Sequence, residues 1–143
     1  MYINQLGIGQ LVPSLAASVA PGSISGTGVR AEYTCVGMRV EVVRVAAALA
    51  VAAGAGAAVV QVKRRSGPGV TAGETVVATL TIPASQAAGS VVYKDVNQIA
   101  LAPGQALAFE CTTASAAGTA IFGLLAQEDP EYKLNESSMV ASA

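Results

Sequence analysis

Apolar and polar residues along this chain alternate with a period of two, the spacing of half-buried strands, far more than they recur at helical spacing. Met38, Val40 and Val42 alternate with Arg39, Glu41 and Val43, and the run continues through Val45, Ala47, Leu49 and Val51. Gly54-Ala55-Gly56 turns the chain, and Ala58, Val60 and Val62 then alternate with Val59, Gln61 and Lys63. Val76, Ala78, Leu80 and Ile82 face away from Thr75, Val77, Thr79 and Thr81, a β-branched run that Pro83 stops. Residues 84–89 fit a helical turn closed by Gly89. Val92 and Lys94 oppose Val91, Tyr93 and Asp95, and Ile99-Ala100-Leu101 leads into a turn at Pro103-Gly104. Leu107, Phe109 and Cys111 alternate with Ala106, Ala108 and Glu110, and Ala120 to Ala126 holds the last strong strand.

About seven to eight short strands, with turn signals about every 8–15 residues, predict an all-β fold. The expected architecture is an antiparallel β-sandwich or jelly-roll-like barrel with extended N- and C-terminal arms. The expected organisation is an arm over residues 1–32, a β-sandwich over 33–130 and a tail over 131–143. The first stretch carries Pro13, Pro21 and several glycines without a sustained period. It nevertheless keeps Tyr2, Ile3, Leu6, Ile8, Leu11, Val12 and Leu15, which makes these the candidate partner-contact residues. Apolar side chains without a periodic core face lie on something, either their own domain or a neighbouring subunit. A short helix fits Val12 to Val19.

Composition narrows what such a domain does. Of the 143 residues 52% are hydrophobic, mostly alanine and valine, and only 12% are charged; histidine and tryptophan are absent. Strand faces rich in alanine bury little apolar area per residue, so the core is expected to be thin and oligomer contacts to help it. The formal charge of −1 gives no basic face for nucleic acid. Lys63-Arg64-Arg65 reads as a solvated strand end. Val45 to Val62 is uncharged, but its alanines and central glycines suit two strands at a turn better than a membrane span. The N-terminus lacks the charged region of a signal peptide.

Chemistry-bearing groups are scarce. Without histidine, acid–base catalysis falls to carboxylates; Glu32, Glu41, Glu74, Asp95 and Glu110 stand alone, and Glu128, Asp129 and Glu131 suit a solvated strand exit. Lys63, Lys94 and Lys133 have no serine in a recognisable elbow. The glycine-rich turns are not phosphate loops, and the acids lack calcium-loop spacing. Cys35 and Cys111 fit no metal or redox motif. Both sit in strand contexts that suit buried free thiols, with a Cys35–Cys111 disulfide as the alternative. No catalytic, cofactor or metal site is expected, and the chain is read as a non-enzyme.

Three segments carry a resemblance. They are Gly73-Glu74-Thr75-Val76-Val77-Ala78-Thr79-Leu80-Thr81-Ile82-Pro83, then Ala87-Ala88-Gly89-Ser90-Val91-Val92-Tyr93-Lys94-Asp95-Val96, then Leu101-Ala102-Pro103-Gly104-Gln105-Ala106-Leu107-Ala108-Phe109. Their texture, over about residues 38–130, resembles the small β-rich proteins that decorate or cement the capsids of tailed bacteriophages. The resemblance implies a virion structural protein on the capsid exterior, bound to the major capsid protein and homo-oligomeric there, with no nucleic-acid or membrane partner. The alternatives are another virion component, such as a fibre base, tail or head–tail joining protein, or a soluble ligand- or carbohydrate-binding β module.

Overall fold

The computed structural model describes residues 14–128, which contain eight strands and no helix. They are β1 (Ser14–Ser23), β2 (Gly28–Thr34), β3 (Val40–Val51), β4 (Ala58–Arg65), β5 (Thr75–Ile82), β6 (Val91–Leu101), β7 (Ala106–Thr113) and β8 (Thr119–Glu128). Two four-stranded antiparallel sheets pack face to face. Sheet A runs β1-β8-β3-β6 and sheet B runs β2-β7-β4-β5. The pairs β1·β8, β2·β7, β3·β6 and β4·β5 make one long ribbon folded back on itself. Rolling that ribbon brings β3 against β8 and β4 against β7, which is the strand order of a jelly roll.

The core follows from the alternation. Val40 and Val42 point inward, then Val45, Ala47 and Leu49 do; the inward phase slips by one residue. A β-bulge absorbs that slip, because the register of β3 skips between Val42 and Arg44 against both neighbours. Phe109 of sheet B meets Phe122 of sheet A at the centre, with ring centroids 5.4 Å apart and planes tilted by 31°. Around them lie Val60, Val62, Leu80, Leu101 and Leu107, with alanines such as Ala47, Ala58 and Ala120 between.

One end of the sandwich is shut by its own backbone. The amides of Ser115 and Ala116 donate to the carbonyls of Ile24 and Ala55 at 2.9 Å, and the Gly54 amide donates to Ala117 at 3.0 Å. The buried Ser115 hydroxyl also accepts from the Gly54 amide at 3.0 Å. Gly118 sits at φ 125°, where an added Cβ would come within 2.8 Å of the Ile24 side chain, so only glycine fits.

The sequence places residues 14–32 in an arm, whereas the structure places 14–23 and 28–32 in the sheets, joined by a turn over 24–27. β1 forms an edge of sheet A, paired with β8 from Ser14 to Ser23, and no helix covers Val12–Val19 within the described part. β2 forms an edge of sheet B, so the sandwich begins well before residue 33. The signal was hidden for physical reasons. β1 is built of small residues, its register breaks between Ser18 and Ala20, and it carries Pro21, which an edge strand tolerates. Gly22 is needed where β1 passes over β2, since a Cβ there would lie 2.7 Å from Arg30 Cβ. Residues 84–89 form turns and no helix.

Candidate interaction surface

The fold divides the chemistry between two outward faces. On sheet B, Lys63 and Arg65 leave β4 on the side opposite Val60 and Val62, so both stand on the outer face. Three carboxylates surround them. Lys63 Nζ donates to Glu74 Oε2 at 3.1 Å and to Glu110 Oε1 at 2.7 Å. Arg65 donates through Nε to Glu74 Oε1 at 2.9 Å and through NH1 to Glu32 Oε2 at 3.1 Å. The Gly69 amide caps the Glu32 carboxylate at 3.1 Å, so the β4–β5 loop ties to the same network. The Arg65 side chain is only 4% exposed.

Each acid in this network has a cation as its neighbour. The hydrogen bonds of Lys63, and then of Arg65, hold the Glu74 carboxyl below its ordinary range. The bonds to Glu110 and Glu74 hold the Lys63 ammonium above its own. With Glu74 held ionised between Lys63 and Arg65, the arrangement suits a braced surface better than proton transfer. Glu32, Glu74 and Glu110, isolated in sequence, are thus gathered by strand pairing. Lys63-Arg64-Arg65 is not a simple solvated end: Arg65 is buried, and Arg64 reaches the Ala100 carbonyl at 3.5 Å. The residue parity of Lys63 and Arg65 on β4 was the available signal; their partners come from other strands, which no local pattern reveals.

The outer face of sheet A is the opposite in character. Register sets Ile121, Gly123 and Leu125 of β8 beside Ala48, Ala46 and Arg44 of β3, and those beside Val91, Tyr93 and Asp95 of β6. From the Ile121 row to the Gly123 row these positions carry no charge. Val91 and Tyr93 are each 56% exposed, with Ile121 and Val51 exposed beside them. Charge appears only at the next row. There Arg44 Nε donates to Asp95 Oδ1 at 2.6 Å and the guanidinium carbon lies 4.2 Å from the Tyr93 ring centre. The Arg44 hydrogen bond lowers the Asp95 carboxyl from its ordinary value. Exposed apolar residues set side by side on one sheet mark a surface suited to contact.

The remaining candidates fall as follows. Of the partner-contact residues, Leu15 lies in β1, its Cα opposite that of Ala126. Tyr2, Ile3, Leu6, Ile8, Leu11 and Val12 lie outside the described residues, as does the tail over 131–143. Cys35 and Cys111 are free, buried thiols, each raised by burial from its ordinary pKa. The Cys35 amide bonds to the Gln105 carbonyl at 2.9 Å, at the start of β7. Cys111 lies six residues further along that strand, roughly 20 Å away, far beyond the reach of a disulfide. The uncharged run Val45–Val62 divides between β3 and β4, and among the described residues no helix is long and apolar enough to cross a membrane. Nor do the described residues include three or more acidic or cysteine side chains grouped to hold a metal ion. Comparison with protein-family models, with curated proteins and with solved structures finds no match to the chain.

Proposed function

We propose that this protein is a virion structural protein, a capsid decoration subunit that binds the exterior of a shell built from the major capsid protein and stabilises it without covalent links. The observation that carries the reading is the division of the two outer faces. Sheet A offers an apolar surface with its charges at one margin, while Lys63, Arg65, Glu32, Glu74 and Glu110 on the sheet B side are committed to one another. A subunit that works by lying against neighbours needs such a face and no reactive group. The jelly-roll strand order is one that capsid and lectin domains share, which is compatible with the reading but cannot choose it, since one fold hosts many functions. The textural resemblance over residues 38–130 points the same way.

The test uses shells assembled from the major capsid protein of the genome that encodes the chain, with and without the protein added. Co-sedimentation with the shells and a raised melting temperature support the reading. Equal melting and no co-sedimentation contradict it. A location at a tail or head–tail joint in a virion map would assign a different virion role.

A carbohydrate-binding module is the second reading, and Tyr93 is the observation that favours it. An exposed ring flanked by Arg44 and Asp95 has the ingredients of a sugar-stacking site. The Arg44 guanidinium already occupies one face of that ring, which ranks this reading lower. Specific hits on a glycan array, lost in Tyr93→Ala, would reverse the order.

A further inference from the structure

The apolar face of sheet A and the thirteen residues that precede β1 match in chemistry. Residues 2–12 carry no charged side chain, yet six of them are large and apolar: Tyr2, Ile3, Leu6, Ile8, Leu11 and Val12. They join the sandwich at Ser14, on an edge strand of the same sheet whose outer face holds Ile121, Val91 and Tyr93. We propose that residues 2–12 of one copy of the chain lie across the outer face of sheet A of a second copy, so that subunits are laced together by exchanged arms.

Size and reach support a second copy as the occupant. Four strands about 4.8 Å apart make the face roughly 20 Å wide, and the stretch of β8 from Thr119 to Leu125, the Arg44–Asp95 margin included, is of similar length, so the patch covers on the order of 400 Å². That is about half of the ~800 Å² that each partner of a stable complex buries. One face alone is too small. Two reciprocal contacts, each burying a face and the arm seated on it, reach the usual total of about 1,600 Å². Thirteen residues span at most about 45 Å, ample to reach a neighbouring sandwich. Pro13 disfavours helical backbone at the residue before it, which suits an extended segment. The uncharged arm also suits the uncharged rows between Ile121 and Tyr93, where an acidic or basic segment would lose hydration without gaining a partner.

The inference rests on the same face as the proposed function but not on the presence of a capsid. Oligomers that ignore shells would remove the capsid role and leave the exchanged arms standing; shell-binding monomers would do the reverse.

Sedimentation of the full chain, at micromolar concentration and in the absence of shells, tests the exchange. Three species are compared: the unaltered chain, Leu6→Asp on the arm and Ile121→Lys on the face. Ile121 is a solvent-facing position in the sandwich, so circular dichroism of the Ile121→Lys chain should match the unaltered protein and keep the result separate from misfolding. The expected result is an oligomer for the unaltered chain and monomers for each variant. An equal mixture of the variants should recover hetero-oligomers at higher concentration, because one intact arm still meets one intact face. A monomeric unaltered chain, variants that stay fully associated, or a mixture that never recovers would each overturn the proposal, the last by showing that each arm covers its own sheet.

Discussion

The two outer faces of this sandwich are made from strands of the same fold and similar length, yet they meet solvent by different means. Sheet B surrounds Lys63 and Arg65 with Glu32, Glu74 and Glu110 and ties its β4–β5 loop down through Gly69. Sheet A presents Ile121, Val91 and Tyr93 over a bed of Ala46, Ala48 and Gly123. The difference teaches where the hydrophobic surplus of the sequence goes. The core takes the inward half of every strand, and sheet B gives the centre of its outward half to charge pairs, with Val29 and Val76 exposed beside them. Sheet A leaves its outward half apolar, a composition that water alone does not favour.

The sharpest break in the comparison comes from the buried cation of sheet B. Arg65→Met leaves Glu32 and Glu74 without their shared partner. Removing one member of a fully buried pair costs about 3–5 kcal/mol. Here the carboxylates remain 23% and 20% exposed, so solvent screening reduces the expected loss to roughly 2–3 kcal/mol. Urea unfolding measures it, and an unchanged midpoint would mean that the network braces nothing. On the other face, Ile121→Lys should shift subunit stability by no more than about 0.5 kcal/mol while abolishing association, a split between unfolding and sedimentation that no change on sheet B reproduces.

Acid gives a graded version of the same contrast. Glu74 and Asp95 have folded-state pKa values depressed below their ordinary 4.5 and 3.8. Their stabilising share is therefore present above those ordinary values and is lost as the pH falls through the lower folded ones. The urea midpoint should fall as the solution is acidified through and below about 4.5, and less steeply in Glu74→Gln. A midpoint independent of pH in that window would contradict the assignment. Arg44→Ala, which removes an exposed pair and its contact with Tyr93, should have the smallest effect on the midpoint. Both thiols should resist an aromatic disulfide reagent in the native protein and react fully on unfolding; a chain with no titratable thiol after unfolding would carry the disulfide that the geometry forbids.

Much of the fold was legible because burial on one face of a sheet imposes a period of two. Strands β3 to β8 follow it, and even the bulge is written in the sequence as the slip from Val40 and Val42 to Val45, Ala47 and Leu49. Strand β1 escaped because an edge strand of small residues, broken by Pro21 and Gly22, carries too little side chain to show a period, and β2 because it is short and fully buries only Ala31. The ion-pair network escaped for a different reason. Glu32, Lys63, Glu74 and Glu110 come from separate strands and a loop, and only the rolled ribbon makes them neighbours. The apolar face was half legible: Val91, Tyr93 and Ile121 were placed on strands, but which strands lie side by side is a property of topology.

Val91 and Val76 provide the most direct test of whether the face of sheet A is covered. They are the same residue type, 56% and 51% exposed in the single subunit, and stand on opposite outer faces. Hydroxyl-radical footprinting of the native full chain, read by mass spectrometry, compares their oxidation rates within one molecule. If a neighbouring copy covers sheet A, Val91 is oxidised several-fold more slowly than Val76, and Ile121→Lys brings the two rates together. Equal rates in the unaltered protein would contradict the account.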